Sequence, residues 1–247
     1  MTTDDRPTLV FACAHLCDER LFAAQTAALN DSHGCRVLVF REQESMGAMA
    51  EALLTAAPPR FTLIGLSLGG YVAFEVIRRA LPRIERLVLM DTTAAADTER
   101  KRAGRLADIE LVRTRGLEAL VPELPKRFLL PAHQQDAALA GLVEDMARAV
   151  GADAQRRQQQ AMLGRPDSLA DLEGVRVPTL VLCGRQDTVT PLADHEAMAA
   201  RVPDAALAVI DDSGHLSTIE QPAAVTEVLR DWLAGTAYAT TARSRLA

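Results

Sequence analysis

The sequence has 247 residues, of which 49% are apolar and 24% charged, an ordinary composition for a globular protein with one large core. Its formal net charge is -6, and it has no basic stripe that could neutralise the phosphates of a nucleic acid or an acidic membrane surface. We therefore expect neither a nucleic-acid partner nor a membrane partner.

Two further features concern location and metal binding. Residues 1–7 are polar, and the chain lacks the run of roughly 20 apolar residues that crosses a bilayer, so a cytoplasmic protein is expected. The cysteines are few, and we expect buried free thiols at Cys13, Cys17, Cys35 and Cys183. The Cys13-x3-Cys17 spacing has no matching second pair, so no metal site is expected.

Short apolar segments alternate with helical patterns along most of the chain. Apolar runs predict strands at 8–13, 35–40, 61–66, 86–90, 178–183 and 206–210. Apolar residues at helical spacing predict helices at 21–29, 46–57, 71–81 and 223–233. This alternation indicates an α/β fold in which helices cover both faces of a parallel sheet.

One interval, residues 92–177, departs from this alternation, and we call it the insertion. It has helical patterns, proline breakers and no clear strand, so residues 1–91 and 178–247 are interpreted as the main domain. Within the insertion, the polar run 156–160 predicts a solvent-exposed helix face. Residues 236–247 are too polar to pack firmly, and a loose tail is expected there.

A candidate nucleophile lies at the junction of the third strand and the following helix. The sequence there is Gly65-Leu-Ser67-Leu-Gly69. A serine held in a strained turn between strand and helix requires residues without Cβ atoms two positions to either side. The spacing therefore predicts that Ser67 Oγ is exposed above the edge of the sheet, next to the N-terminus of a helix.

Such a serine needs a histidine to take its proton, and a carboxylate to hold that histidine in the right tautomer. His215 directly follows the last strand, so it is expected at the same sheet edge as Ser67. Three other histidines are interpreted as surface or helix-capping residues: His33, His133 and His195.

Two aspartates are candidates for the carboxylate. Asp187 follows the fifth strand in Gly184-Arg-Gln-Asp187 and is our first choice. Asp91 ends the fourth strand and stays open as the alternative.

Together these motifs resemble those of the α/β-hydrolase superfamily, in which nucleophile, acid and histidine follow in this chain order. Within it the chain looks most like small bacterial esterases and enol-lactonase-like enzymes. The resemblance implies an α/β-hydrolase fold whose insertion is a helical cap, or lid. Only seven residues precede the first strand, so we expect a mostly parallel sheet of about six strands without the N-terminal hairpin of the full fold.

The resemblance also implies an oxyanion hole made of two backbone N–H groups. One belongs to Leu68, which follows the nucleophile. Relatives supply the other from the third residue of a His-Gly-x or Pro-Gly-x loop, and here that loop reads Cys13-Ala-His15. We carry the role onto the His15 N–H, with the Leu16 N–H as the alternative and with the His15 side chain facing the pocket.

The implied function is that of a serine hydrolase which cleaves a small to medium carboxylic ester or lactone, without metal or cofactor. Leu, Met and Phe residues of the insertion favour a modest apolar pocket for a short or medium acyl group. Alternatives are a carbon–carbon bond hydrolase of the vinylogous diketone type and a perhydrolase, both with the same triad. A non-catalytic, ligand-binding member of the fold is the alternative from another class.

Overall fold

A computed structural model describes residues 6–235 of the chain, and the predicted tail at 236–247 lies outside them. Six strands form one sheet in the order β2-β1-β3-β4-β5-β6, and every neighbouring pair is parallel. The strands are β1 (Thr8–Ala12), β2 (Gly34–Leu38), β3 (Phe61–Leu66), β4 (Ile84–Met90), β5 (Thr179–Gly184) and β6 (Ala206–Ile210). The predicted six-stranded α/β fold is confirmed, with strand ends within two residues of those predicted.

Helices follow the strands in the order that the sequence predicts. The α-helices are α1 (Ala23–Leu29), α2 (Met46–Ala56), α3 (Leu68–Ala80), α4 (Glu99–Arg115), α5 (Leu124–Phe128), α6 (Ala137–Val150), α7 (Ala152–Leu163), α8 (Leu169–Leu172), α9 (Leu192–Ala199), α10 (Ser217–Glu220) and α11 (Pro222–Leu233). The 3-10 helices are Glu19–Phe22, Leu81–Arg83, Leu117–Ala119, Val121–Glu123 and His133–Gln135. The first of these splits the helix predicted at 21–29, because Asp18 caps a separate 3-10 turn by accepting from the Arg20 N–H.

The sheet is buried on both faces, as parallel sheets are. Alternate residues of β1 join different cores: Leu9 and Phe11 pack on the side of α1 and α11, and Val10 and Ala12 on the side of α2, α3 and α9. The strand order reverses between β1 and β3, so the loops that leave these two strands diverge at the carboxyl edge of the sheet. Open α/β sheets bind ligands at such a switch point.

The insertion contains α4 to α8 and no strand. It packs on both cores, for example through Met146 on the α1 side and Met162 on the α2 side. The predicted solvent-exposed face at 156–160 is wrong for two of its residues, because Gln158 and Gln159 are only 1% and 3% exposed. Both amides face inward because they form hydrogen bonds with the loop that follows β1, whereas Gln160 of the same helix is exposed.

Candidate active site

Ser67 lies in a strained turn between β3 and α3. Its φ and ψ are 53° and -109°, a region that residues with side chains rarely occupy. Close packing around the turn explains the flanking glycines, because a Cβ on Gly69 would overlap the Ala12 carbonyl, and one on Gly65 would overlap the Gly69 backbone. The Ser67 carbonyl accepts from the Tyr71 N–H at 3.2 Å, so the helix begins directly at the serine.

The structure brings Ser67, His215 and Asp187 together in one chain of hydrogen bonds. The distance from His215 Nε2 to Ser67 Oγ is 2.9 Å, and that from His215 Nδ1 to Asp187 Oδ2 is 2.8 Å. His215 is almost wholly buried, and its backbone N–H donates to the carbonyl of Phe128 in the insertion at 2.8 Å. The imidazole is therefore fixed between an acceptor for one nitrogen and a hydroxyl donor for the other.

Asp187 is held as an anion by hydrogen-bond donors. Its Oδ1 accepts from the N–H groups of Val189 and Thr190 at 2.7 and 3.0 Å, and its Oδ2 also accepts from Thr190 Oγ1 at 2.7 Å. Burial alone would raise the pKa of Asp187, but His215 and these hydrogen bonds outweigh it and lower the pKa below its ordinary value. Burial likewise opposes the charged form of His215, and Asp187 outweighs it and raises the pKa of that imidazole.

The loop after β1 is anchored to α7 by Gln159, whose Nε2 lies 3.3 Å from His15 Nε2, and by more contacts of Gln158. Gln158 Oε1 accepts from the Leu16 N–H at 2.9 Å and lies 2.8 Å from His15 Nδ1, while Gln158 Nε2 donates to the Phe40 carbonyl at 2.7 Å. Burial lowers the pKa of His15 to about 3, so the ring is neutral and its Nδ1–H is the donor to Gln158. Gln158 thus holds the loop after β1 from a distant helix of the insertion.

The backbone donors that were predicted for an oxyanion hole differ in their partners. Leu68 is the first residue of α3, so its N–H has no acceptor within the helix. Within residues 6–235, the His15 N–H has no protein acceptor, whereas the Leu16 N–H is bonded to Gln158. Leu16 also has a positive φ of 55°.

A pocket of about 400 Å³ opens above Ser67 between the sheet edge and the insertion. From the sheet edge it is lined by His15, Ser67, Tyr71, Thr188, Val189 and His215. From the insertion its lining includes Lys101, Arg105, Asp108, Arg127, Phe128 and Met162. The lining is thus partly apolar, and it also carries charged side chains that the pattern of Leu, Met and Phe did not predict.

Comparison with known proteins identifies the family of this chain. The sequence model of the Alpha/beta hydrolase family matches residues 20–228. The chain belongs to the α/β-hydrolase family.

Individual relatives agree with this assignment. The α/β hydrolase is 29% identical to a pimeloyl-[acyl-carrier protein] methyl ester esterase of Aromatoleum aromaticum, over 77% of this chain and 81% of that protein. It is 30% identical to a thermophilic esterase from Thermogutta terrifontis, solved with malate bound, with a TM-score of 0.82 over 94% and 90% of the two chains. An enol-lactonase from Burkholderia xenovorans LB400 shares the fold, with a TM-score of 0.85 at 22% identity over 95% and 94%. The chain is an enzyme of the hydrolase class.

Asp91, the alternative acid of this α/β hydrolase, is fully buried beside the site but bonded to other groups. Its Oδ1 accepts from the Gly184 N–H at 2.9 Å, and its Oδ2 is 2.5 Å from Ser217 Oγ. Burial and the nearby Asp187 charge raise the pKa of Asp91 to about 8. At neutral pH the two carboxyl groups therefore differ in protonation, and it is Asp187 that bonds to His215.

The remaining histidines of the α/β hydrolase have structural contacts. His195 is wholly buried, so its interpretation as a surface or capping residue is wrong. Its Nε2 accepts from the Thr92 N–H at 3.0 Å, which fixes the chain just after β4. His133 Nδ1 lies 2.9 Å from the buried Glu220, whose other oxygen accepts from the Gly214 and Leu216 N–H groups around His215.

Residues 6–235 of the α/β hydrolase contain no group of three or more His, Cys, Asp or Glu side chains that could hold a metal ion. No helix among them combines the length and apolar character of a bilayer span. The four cysteines are free thiols, three of them buried and Cys35 partly exposed.

Proposed function

We propose that this α/β hydrolase is a serine enzyme that cleaves a small to medium carboxylic ester or lactone through an acyl-enzyme on Ser67. The observation that carries the proposal is the pair of hydrogen bonds, 2.9 and 2.8 Å long, that joins Ser67 to His215 and His215 to Asp187. The activities of the two esterases at about 30% identity support ester hydrolysis as the reaction class.

In the proposed reaction, neutral His215 Nε2 accepts the Ser67 hydroxyl proton while Oγ attacks the ester carbonyl. The proton then passes from His215 to the departing alkoxide, which leaves as an alcohol. Water attacks the acyl-enzyme, again with His215 as the base, and the acid product and free serine result. Asp187 stays ionised throughout and stabilises the imidazolium.

The oxyanion would be bound by the N–H groups of His15 and Leu68. Each such donor typically contributes about 3 kcal/mol to transition-state stabilisation. Two observations favour His15 over Leu16 as the first donor: the His15 N–H is free of protein acceptors within residues 6–235, and the Leu16 N–H is bonded to Gln158.

We also propose that the insertion, residues 92–177, acts as a cap on the main domain, residues 1–91 and 178–247. The pocket between them, and the hydrogen bond from the His215 N–H to the Phe128 carbonyl, support this division. The cytoplasmic location stays a prediction.

Covalent labelling tests the nucleophile directly. A fluorophosphonate should label the wild-type protein once, at Ser67, and should not label Ser67→Ala. With short esters and lactones, folded Ser67→Ala should lose turnover by roughly 10^4- to 10^6-fold. Ser32→Ala, which changes an exposed serine far from the pocket, is the matched control. Retention of turnover or of the label in Ser67→Ala would exclude Ser67 as the nucleophile.

A further inference from the structure

The insertion side of the pocket includes one charged face of α4. Lys101, Gly104, Arg105 and Asp108 line the pocket, and their spacing of three, four and seven residues places them on the same side of the helix. A helix face that only packed against the main domain would be apolar at these positions. This wall is therefore suited to contact with a polar or charged ligand.

The cations that line this pocket differ in their partners. Three of them form ion pairs with carboxylates: Arg105 with Asp97 at 2.6 Å, Arg127 with Asp108 at 2.7 Å, and Lys126 with Glu123 at 2.7 Å. Across residues 6–235, Lys101 Nζ has neither an ion-pair partner nor a hydrogen-bond acceptor. Asp194 and Asp97 act on Lys101 at longer range, without forming a pair. Lys101 is thus the pocket cation that is available to a ligand.

The position of Lys101 is unfavourable unless a ligand compensates it. It lies in the first turn of α4, where the positive end of the helix dipole repels a cation. It is also half-buried, and burial lowers the pKa of its ammonium group. The sequence uses lysine only at 101 and 126 among 27 basic residues, and both lysines line this one pocket. A bound anion would relieve both the repulsion and the desolvation.

We propose that Lys101 binds a carboxylate on the substrate, remote from the bond that is cleaved, so that the preferred substrates are acid-terminated esters or lactones. This inference rests on the proposed function. The single positive charge of Lys101 balances one carboxylate, whereas a phosphate dianion would keep an uncompensated second charge in a partly buried pocket. Gly104, one turn further along α4, leaves open space where a side chain would otherwise project.

Matched esters test the proposal. Monomethyl esters of linear dicarboxylic acids with four to eight carbons are compared with methyl esters of the monocarboxylic acids of equal length, and the readout is the ratio of their kcat/KM values. Wild type should prefer the acid-terminated ester at one or more lengths. Lys101→Met should lower the ratio at the best length by about 10- to 100-fold. Lys101→Arg should retain part of the preference.

Arg113→Met is the matched control, because it removes the same charge from an exposed, solvated part of the same helix. It should leave the ratio within about twofold of wild type. A Lys101→Met ratio equal to that of wild type, or a wild-type preference for the uncharged ester at every length, would overturn the proposal.

A binding measurement separates this inference from the proposed chemistry. Calorimetric titration of Ser67→Ala with each dicarboxylate of four to eight carbons requires no turnover and identifies the dicarboxylate that binds most tightly. Adding Lys101→Met should weaken its affinity about tenfold or more. Equal affinities would contradict the role of Lys101. Failure of the wild type to hydrolyse any ester or to react with fluorophosphonate would instead contradict the serine mechanism, and the titration would still decide the role of Lys101.

Discussion

The two walls of the pocket differ in how their side chains are held. On the sheet edge, Ser67, Asp187 and His215 leave the ends of β3, β5 and β6 and are fixed by a strained turn and by backbone donors. On the insertion, Arg105 and Asp108 of α4 are held by ion pairs with other side chains, whereas Lys101 of the same helix has no such pair within residues 6–235. We therefore expect substitutions on the sheet edge to abolish turnover and those on the insertion to change its rate or selectivity.

After loss of the nucleophile, the largest expected loss of turnover distinguishes Asp187 from Asp91 as the acid that acts on His215. Asp187→Asn should lower kcat by about 10^3- to 10^4-fold, because an amide cannot stabilise the imidazolium and can hold the wrong tautomer. Asp91→Asn should retain turnover within about tenfold, because Asp91 bonds to Gly184 and Ser217 and not to His215. Steady-state kinetics on folded variants measure both.

The pH profile adds a readout that a loss of folding would not produce. In the proposed mechanism neutral His215 is the active form, and its pKa is raised, so kcat/KM of wild type should rise with pH through a midpoint above 6.5. Asp187→Asn removes the main charge that raises this pKa, so its midpoint should lie at lower pH. If Asp91→Asn caused the greater loss of turnover, or shifted the midpoint more, the assignment of the acid would be wrong.

A smaller effect tests the contact between Gln158 of the insertion and the loop beside Ser67. Gln158→Ala removes two hydrogen bonds to the loop that carries the His15 N–H and a third to the Phe40 carbonyl, which follows β2. If this loop supplies an oxyanion donor, kcat should fall by about 10- to 100-fold with little change in KM, because such a donor acts mainly in the transition state. Gln160→Ala, an exposed position on the same helix, is the control and should stay within about twofold.

The split between kcat and KM distinguishes positioning from packing. General loosening of the insertion by Gln158→Ala should raise KM and lower the thermal midpoint, with kcat little affected. That result would mean that Gln158 stabilises the insertion and does not position a group on the sheet edge.

Local motifs explain why the sheet edge was predictable from sequence. The glycines around Ser67 are required by contacts within a few residues, and His215 and Asp187 directly follow strands that are continuous apolar runs. The insertion was less predictable because its side chains are defined by distant partners. In the sequence, Gln158 is one residue of a polar run, and only the structure shows its contacts with His15 and Phe40. In the same way, the sequence does not distinguish Lys101 from a lysine on a solvated surface. The prediction for His195 is wrong for the same reason, because its partner Thr92 is distant in sequence and follows β4.

The smallest expected effect is on the contribution of Asp91 to stability. The pKa of this carboxyl group is raised, whereas that of Asp187 is lowered. The pKa of Asp91 is about 8 in the fold against an ordinary 3.8, so between these values the folded state keeps a proton that the unfolded chain has released. Its contribution to stability therefore falls as pH rises through this range and is fully lost near pH 8. Asp91→Asn stays neutral and can keep both hydrogen bonds, so its Tm relative to wild type should increase from pH 7 to pH 8.5, by about 3–5 °C. Calorimetric scans at the two pH values measure this difference, and a constant offset would mean that Asp91 is already ionised in the fold and that burial does not separate the two carboxyl groups.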